Sequence, residues 1–215
     1  MKRNFFLFLS IVVFFVLVTS FFPVSVYCQV LLSELLPDPA RDWDGNGSVN
    51  YRGDEWIEIV NYGSNPVTID SFLVADRGDS GYTIRYRFSG TIGPKEVIVV
   101  FGSDVVIWQS ANGVSAYGLS LNNSGDTIYL LQIAHGDTVV VDSLEYSGAD
   151  VDDDRAIGRD AETPSLWLLF DAYNPCSSGC SFESSGCIPT PGSANNCITP
   201  VENSTWGAIK ALYGD

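Results

Sequence analysis

The sequence predicts an all-β chain folded as an antiparallel sandwich. Three observations carry that expectation. From Gln29 to about Phe170 the chain breaks into short segments rich in Val, Ile, Tyr and Phe. Clusters of Gly, Asn, Asp and Ser separate them. No segment of this body sustains a helical period. Strand signals punctuated by turn signals at short intervals are the pattern of two packed antiparallel sheets.

Taken in order, the segments are VLLSELL (30–36), EWIEIVNY (55–62), PVTID (66–70), SFLVAD (71–76), YTIRYRFS (82–89), EVIVVFG (96–102), TIYLLQI (127–133), TVVVDSLEY (138–146) and SLWLLF (165–170). Their β-branched and aromatic content favours a pleated, half-buried surface. YTIRYRF alternates strictly, with Thr83, Arg85 and Arg87 on one face and Tyr82, Ile84, Tyr86 and Phe88 on the other. A period of two predicts a strand with one solvated face. AHGD (134–137) joins two strong segments, and Gly136 supplies the positive φ of a tight hairpin.

Beyond the body the composition changes twice. Residues 171–197 are rich in Ser, Gly, Pro and Cys and lack periodicity, which reads as a loop covering one edge or end. Residues 198–215 form a tail in which Ser204 or Thr205 can cap a short helix, with Trp206, Ile209 and Tyr213 at helical spacing.

At the other end, Lys2 and Arg3 precede an uncharged apolar run from Phe5 to Phe22, broken by Pro23. This reads as a signal peptide over 1–28. Val26 and Cys28 suit the small positions before a cleavage site, which places the cut after Cys28 and leaves Gln29 first. An uncleaved membrane anchor is the second reading. A lipoprotein on Cys28 is the third, disfavoured by Tyr27. The expected organisation is therefore leader 1–28, sandwich 29–170, Cys-rich closing loop 171–197 and tail 198–215, in a secreted or cell-surface protein with no membrane span once the leader is gone.

Export gives the cysteines a meaning. Cys176, Cys180, Cys187 and Cys197 remain after cleavage, an even number that argues for two disulfides with three possible connectivities. A zinc site is the alternative, although the set lacks close C-x-x-C pairs. Charge narrows the partners. The chain carries 26 acidic and 11 basic side chains, a net charge of −15, and loss of Lys2 and Arg3 makes it more negative still. Non-specific nucleic-acid binding is excluded, because it needs clustered Lys and Arg. An anionic membrane surface is disfavoured for the same reason.

Several strings in fixed order resemble the lamin tail domain family in its bacterial secreted branch. SELLPDP (33–39) is similar to the opening of that family. GDEWIEIVNYG (53–63) resembles its most recognisable segment, an acidic residue before an aromatic-aliphatic strand ending in Asn. SFLVAD (71–76), FSGTIGPKEVIVV (88–100), LSLNNSGDTIYLL (119–131) and VDSLEY (141–146) follow, and AIGRD (156–160) and PTPGSANN (189–196) resemble the closing motifs. The resemblance implies an immunoglobulin-like β-sandwich, in agreement with the strand reading. It also implies an interaction module. Some members contact DNA, which the charge here opposes. Others accompany nuclease or phosphatase domains, for which this length leaves no room.

The best chemical candidate is Asp42-Trp43-Asp44-Gly45-Asn46-Gly47-Ser48, a D-x-D-x-N-G string. Calcium needs several hard oxygens converging on one point, and alternating acidic side chains around a Gly turn supply them. The string departs from an EF-hand at its twelfth position, Gly53, so Asp54 or Glu55 is expected to close the site together with Asp42, Asp44, Asn46 and Ser48. The bland reading is an acidic surface turn. A second run, Asp150, Asp152, Asp153 and Asp154, reads as a solvated loop, with cation binding as the alternative. His135 reads as an exposed turn residue, and no G-x-S-x-G elbow accompanies it. Glu55 and Glu58 form a nominal acid–base pair. Trp56 and Trp167 read as core, while Trp43 and Trp108 are free to stack on a sugar.

The function these features imply is a non-catalytic exported interaction or surface-structural module, calcium-stabilised, whose partner is a protein or a cell-surface polymer. A carbohydrate-binding module is the alternative and requires an exposed row of Trp or Tyr. A hydrolase with an unrecognised site is the third class and requires a deep pocket with converging polar groups.

Overall fold

The computed structural model describes residues 29–78 and 81–197. The leader, its cleavage after Cys28 and the tail helix around Trp206 lie outside the described residues. The elements are β1 (Val30–Leu36), β2 (Trp56–Asn61), β3 (Val67–Thr68), β4 (Phe72–Gly78), β5 (Gly81–Arg87), β6 (Thr91–Ile92), β7 (Val97–Phe101), α1 (Gly102–Ala111), β8 (Gly125–Ala134), β9 (Asp137–Ser147), β10 (Ala156–Arg159), β11 (Trp167–Phe170) and β12 (Glu183–Ser184). One sheet runs β12-β11-β10-β1-β2-β7, the other β5-β4-β8-β9, and β3 pairs with β6 apart from both. Pairing is antiparallel throughout, except that β12 lies parallel to β11.

The two sheets close on a single large core. Ile57 and Ile59 of β2, Phe72 and Val74 of β4, Ile128 and Leu130 of β8 and Leu144 of β9 all belong to it, each at most 3% exposed. In every strand the period of two sends these side chains inward together. In β1 a bulge between Leu32 and Glu34 shifts the phase, so that Leu32 and Leu35 both reach the core. Burying each such side chain stabilises the fold by about 1.5–3 kcal/mol relative to exposure. A smaller cluster of Leu36, Trp56, Ala156, Phe170 and Cys187 sits on the outer face of the larger sheet.

Four departures from the sequence reading have physical causes. Residues 102–111 form a helix, not loop or strand. Only Gly102, Val105 and Gln109 of α1 are buried, while Val106 and Ile107 spread apolar character around its circumference, so no amphipathic stripe announces it. Strand β10 coincides with AIGR, whose Gly and Arg carry no strand propensity; its four residues are buried between β1 and β11. Gly158 is needed there, because a Cβ would lie 2.8 Å from the Phe170 ring and 2.9 Å from Asn195 Nδ2. Strands β6 and β12, two residues each, are too short for a periodic signal.

The fourth departure is in β5. Tyr86 pairs with Val74 and Ile84 with Ala75, so the residue between them, Arg85, is extra. Such a bulge switches faces. Phe88 is 2% exposed in the core and Tyr86 packs against it, whereas Tyr82 is 48% and Ile84 38% exposed. The strict alternation in sequence therefore does not give one solvated and one buried face. The hairpin at AHGD is as expected. His135 and Gly136 both have positive φ, 54° and 92°, the requirement of a two-residue type I′ turn.

The closing segment is stapled by Cys176–Cys180 and Cys187–Cys197. Each of these four cysteines pairs with its neighbour in sequence, which resolves their connectivity and leaves none of the four as a thiolate for zinc. The buried Asp171 carboxylate organises the first part, accepting the Cys176 and Gly186 amides and the Ser184 hydroxyl. The second part crosses the outer face of the larger sheet, where Asn195 Nδ2 donates to the carbonyls of Ser33 and Arg159.

Candidate functional site

The loop between β1 and β2 brings three carboxylates together. One oxygen from each of Asp42, Asp44 and Asp54 lies within 4.8 Å of the others. Asp54 is the anchor. It is fully buried, and Oδ1 accepts the amides of Trp43 at 2.7 Å and Asp44 at 3.0 Å, while Oδ2 accepts that of Asn50 at 2.6 Å. Asp42 accepts the amides of Asn46 and Gly47 at 3.0 and 2.8 Å. Asp44 accepts the Asn46 amide and its side-chain NH2. Ser48 enters through its own amide, which donates to Asn46 Oδ1. Gly45 and Gly47 have φ of 71° and 89°, which the tight wrap of the loop demands.

The electrostatics of this cluster suit a hard cation. Burial works against ionisation of Asp44, but hydrogen bonds from Ser103 and from Asn46 hold its carboxyl below the usual range. Carboxylates this close repel one another, and a cation between them would relieve that repulsion. The second closing ligand expected from sequence, Glu55, is elsewhere. It turns inward, its Oε2 accepting the Leu121 amide at 3.4 Å, and burial pushes its carboxyl up to about 8. Adjacent residues of an extended chain point to opposite sides, so only one of Asp54 and Glu55 can face the loop.

The same rule separates Glu55 from Glu58. Glu55 immediately precedes β2 and Glu58 lies within it, three residues on in extended chain, so they point to opposite sides and form no acid–base pair. Glu58 instead stands directly opposite Glu34 across β1 and β2. Both are buried beneath the closing segment. Thr190 donates its amide and hydroxyl to Glu34, and the Gly192 amide donates to Glu58 at 2.8 Å. Burial raises Glu34 to about 8 and Glu58 to about 7.

The run at 150–154 is divided. Asp152 and Asp153 are exposed. Asp150 and Asp154 are buried and serve as acceptors: Asp150 for Ser147 and Ser181, Asp154 for the Ala40 amide and the Trp43 indole. The solvated-loop reading thus holds for only half of the run. Among the described residues the tryptophans form no platform. Trp56 is fully buried against Trp43, Trp108 packs on Tyr86, and Trp167 lies under the Arg159 guanidinium. His135 is exposed at its hairpin tip. Among the described residues no helix is long and apolar enough to cross a membrane.

A family model described as Lamin Tail Domain matches residues 23–148, more than half of the chain. The matched span includes the Asp42–Asp54 loop and strands β1 to β9, and stops before the disulfide-stapled segment. No curated protein matches the chain.

Proposed function

Because this chain belongs to the lamin tail domain family, we propose that it works as a non-catalytic, exported interaction or surface-structural module whose β1–β2 loop is set by calcium. Family membership supports the module reading, since these are immunoglobulin-like domains of the interaction type. Two disulfides in the closing segment favour an oxidising compartment. The observation that carries calcium is the convergence of Asp42, Asp44 and Asp54 on one point. With all-oxygen donors and no imidazole or thiolate, that set suits calcium rather than zinc or copper. The nearest element, β2, lies in the larger sheet, so a bound cation would fix the loop against the core.

The deciding experiment is thermal unfolding of the exported protein in EDTA and in millimolar Ca²⁺. Ligand at about a hundred times its Kd stabilises a fold by ~2.7 kcal/mol. Asp44→Asn should remove that gain. An equal gain in the variant, or none in the wild type, refutes the calcium reading and leaves the loop as an acidic turn.

A further inference from the structure

Beside the calcium loop, at the same end of the sandwich, lies a cleft of about 470 Å³, and next to it a second of about 350 Å³. Arg77, Asn122 and Asp126 line both. The two are compartments of one groove that divides at these residues. Tyr51, Arg52, Glu55 and Asp76 are among the other residues of the first compartment, and Glu145 and Tyr146 belong to the second.

Two buried side chains in these walls have unused hydrogen-bonding capacity. Asp76 is 5% exposed; its Oδ2 is held by Arg85 at 2.6 Å, but its Oδ1 has no partner. Tyr146 is 4% exposed, and its hydroxyl, beside the Asn122 backbone, is not held in hydrogen-bond geometry. An unpaired buried polar atom costs about 1–3 kcal/mol, and both of these atoms are closed off from solvent within the wall. Ser120 on the rim has a φ of 58°, a conformation that non-glycine residues adopt at a cost and that clusters at binding sites.

The wall chemistry selects the ligand. Carboxylates, carboxamides and guanidinium groups alternate along it, offering acceptors and donors in pairs. Arg77 pairs with Glu145, Asp76 pairs with Arg85, and burial keeps Glu55 protonated, so Arg52 and Asp126 are the lining charges left and the groove has no strong charge preference of its own. The net charge of −15 repels a polyanion. Tyr51, 66% exposed, presents a ring at the lip. A peptide partner would need an apolar anchor pocket, whereas these walls are predominantly polar. Vicinal hydroxyls match them, and two compartments sharing one wall match consecutive rings.

We propose that this groove binds a neutral oligosaccharide, with Asp126, Asn122 and Arg77 at the junction between two sugar subsites. The inference rests on the reading of the chain as an exported interaction module and adds the class of its partner. It uses neither the tryptophans nor the aromatic row set out above as the mark of a flat sugar platform; a polar groove with the single Tyr51 ring at its lip takes that place.

The test is an array of neutral oligosaccharides, including cellohexaose, chitohexaose, xylohexaose and laminarihexaose, with the matching monosaccharides and a random peptide array as comparisons. The full chain is applied in calcium-containing buffer, and hits are titrated by calorimetry. At least one hexaose should bind, its monosaccharide about tenfold or more weakly. Asp126→Asn should weaken the hexaose by about tenfold or more while melting with the wild type. Tyr51→Ala, at an exposed position, provides the same comparison should Asp126→Asn fail to fold. No binding to any hexaose overturns the proposal, as does peptide binding that the same variants abolish. Export and calcium stabilisation are measured separately. A chain that is exported and calcium-stabilised but binds no saccharide refutes the groove alone. A chain retained in the cytoplasm that still binds refutes the module's location alone.

Discussion

Arg159 grips Asp142 across the open side of the sandwich, Nη2 donating to both carboxylate oxygens at 2.8 and 2.7 Å. The two residues belong to different sheets, β10 in one and β9 in the other. Each also holds β1, since Arg159 Nε donates to the Leu32 carbonyl and Asp142 Oδ2 accepts the Leu32 amide. Arg159 is 7% exposed and lies over the Trp167 ring. A buried pair with every neighbour satisfied is a fastening between sheets that the hydrophobic core alone does not supply.

The first prediction follows from that pairing. Asp142→Ala strands a buried guanidinium and should cost ~3–5 kcal/mol in urea unfolding. Replacing both partners, as Arg159→Met with Asp142→Leu, should cost less than the sum of the single changes. A loss below about 1 kcal/mol for Asp142→Ala would place the pair with ordinary surface ion pairs and remove its role as a fastening.

The second prediction separates the structural from the ligating carboxylates of the β1–β2 loop. Asp54 is buried and satisfies three backbone amides, so Asp54→Ala should destabilise the fold by several kcal/mol even in EDTA, at about 1–3 kcal/mol for each stranded group. Asp42 is exposed, and Asp42→Ala should cost little in EDTA but forfeit the gain from calcium. Matched behaviour of the two variants in EDTA would contradict this division.

Much of the sandwich was legible because period-two patterning and turn residues are local signals. VLLSELL, EWIEIVNY and TVVVDSLEY fall on β1, β2 and β9 within a residue or two. The bulge at Arg85 was not, since the alternation of YTIRYRF is unbroken and only the pairing with β4 reveals the extra residue. Helix α1 was hidden by its apolar spread, and β10 by a Gly and an Arg whose burial depends on Phe170, Asn195 and Asp142 from distant parts of the chain. At the loop, the D-x-D-x-N-G spacing was readable, but the choice between Asp54 and Glu55 depended on which way the strand enters the sheet. The groove was invisible in sequence, because Asp76, Asn122, Asp126 and Tyr146 converge from three strands and a turn.

The third prediction concerns the staples. The Cys187–Cys197 bridge closes the segment that covers Glu34 and Glu58, and the chain-entropy relation gives about 2–3 kcal/mol for a loop of that size. Cys176–Cys180 closes a shorter loop and should contribute less. Non-reducing peptide maps should recover these two pairs. The double change Cys187→Ser, Cys197→Ser should speed amide exchange at Thr190 and Gly192 more than at Leu130 in the core. Equal exchange at both places would mean that the hydrogen bonds to Glu34 and Glu58 hold the segment without the bridge.

The last prediction is a fall in stability as pH rises from acid to mildly alkaline values. Burial lifts Glu34 and Glu55 to about 8 and Glu58 to about 7, from an ordinary 4.5. The folded chain therefore keeps protons that the unfolded chain releases. Stability from these groups is fully present below pH 4.5, declines as pH climbs from there, and has been lost once it passes the folded values near 7 and 8. Each group contributes at most ~1.4 kcal/mol per pH unit within its window. Asp44 and Asp150, held below their ordinary range, act in the opposite sense and weaken the fold only under strongly acid conditions. The melting temperature, measured in EDTA so that calcium binding does not titrate with it, should thus be highest near pH 4–5 and fall toward pH 8. Glu58→Gln keeps an acceptor for the Gly192 amide and cannot ionise, so it should flatten that decline. A melting temperature that rises over the same range, or a decline that Glu58→Gln and Glu34→Gln both leave unchanged, would show that the pair beneath the closing segment is ionised in the folded chain.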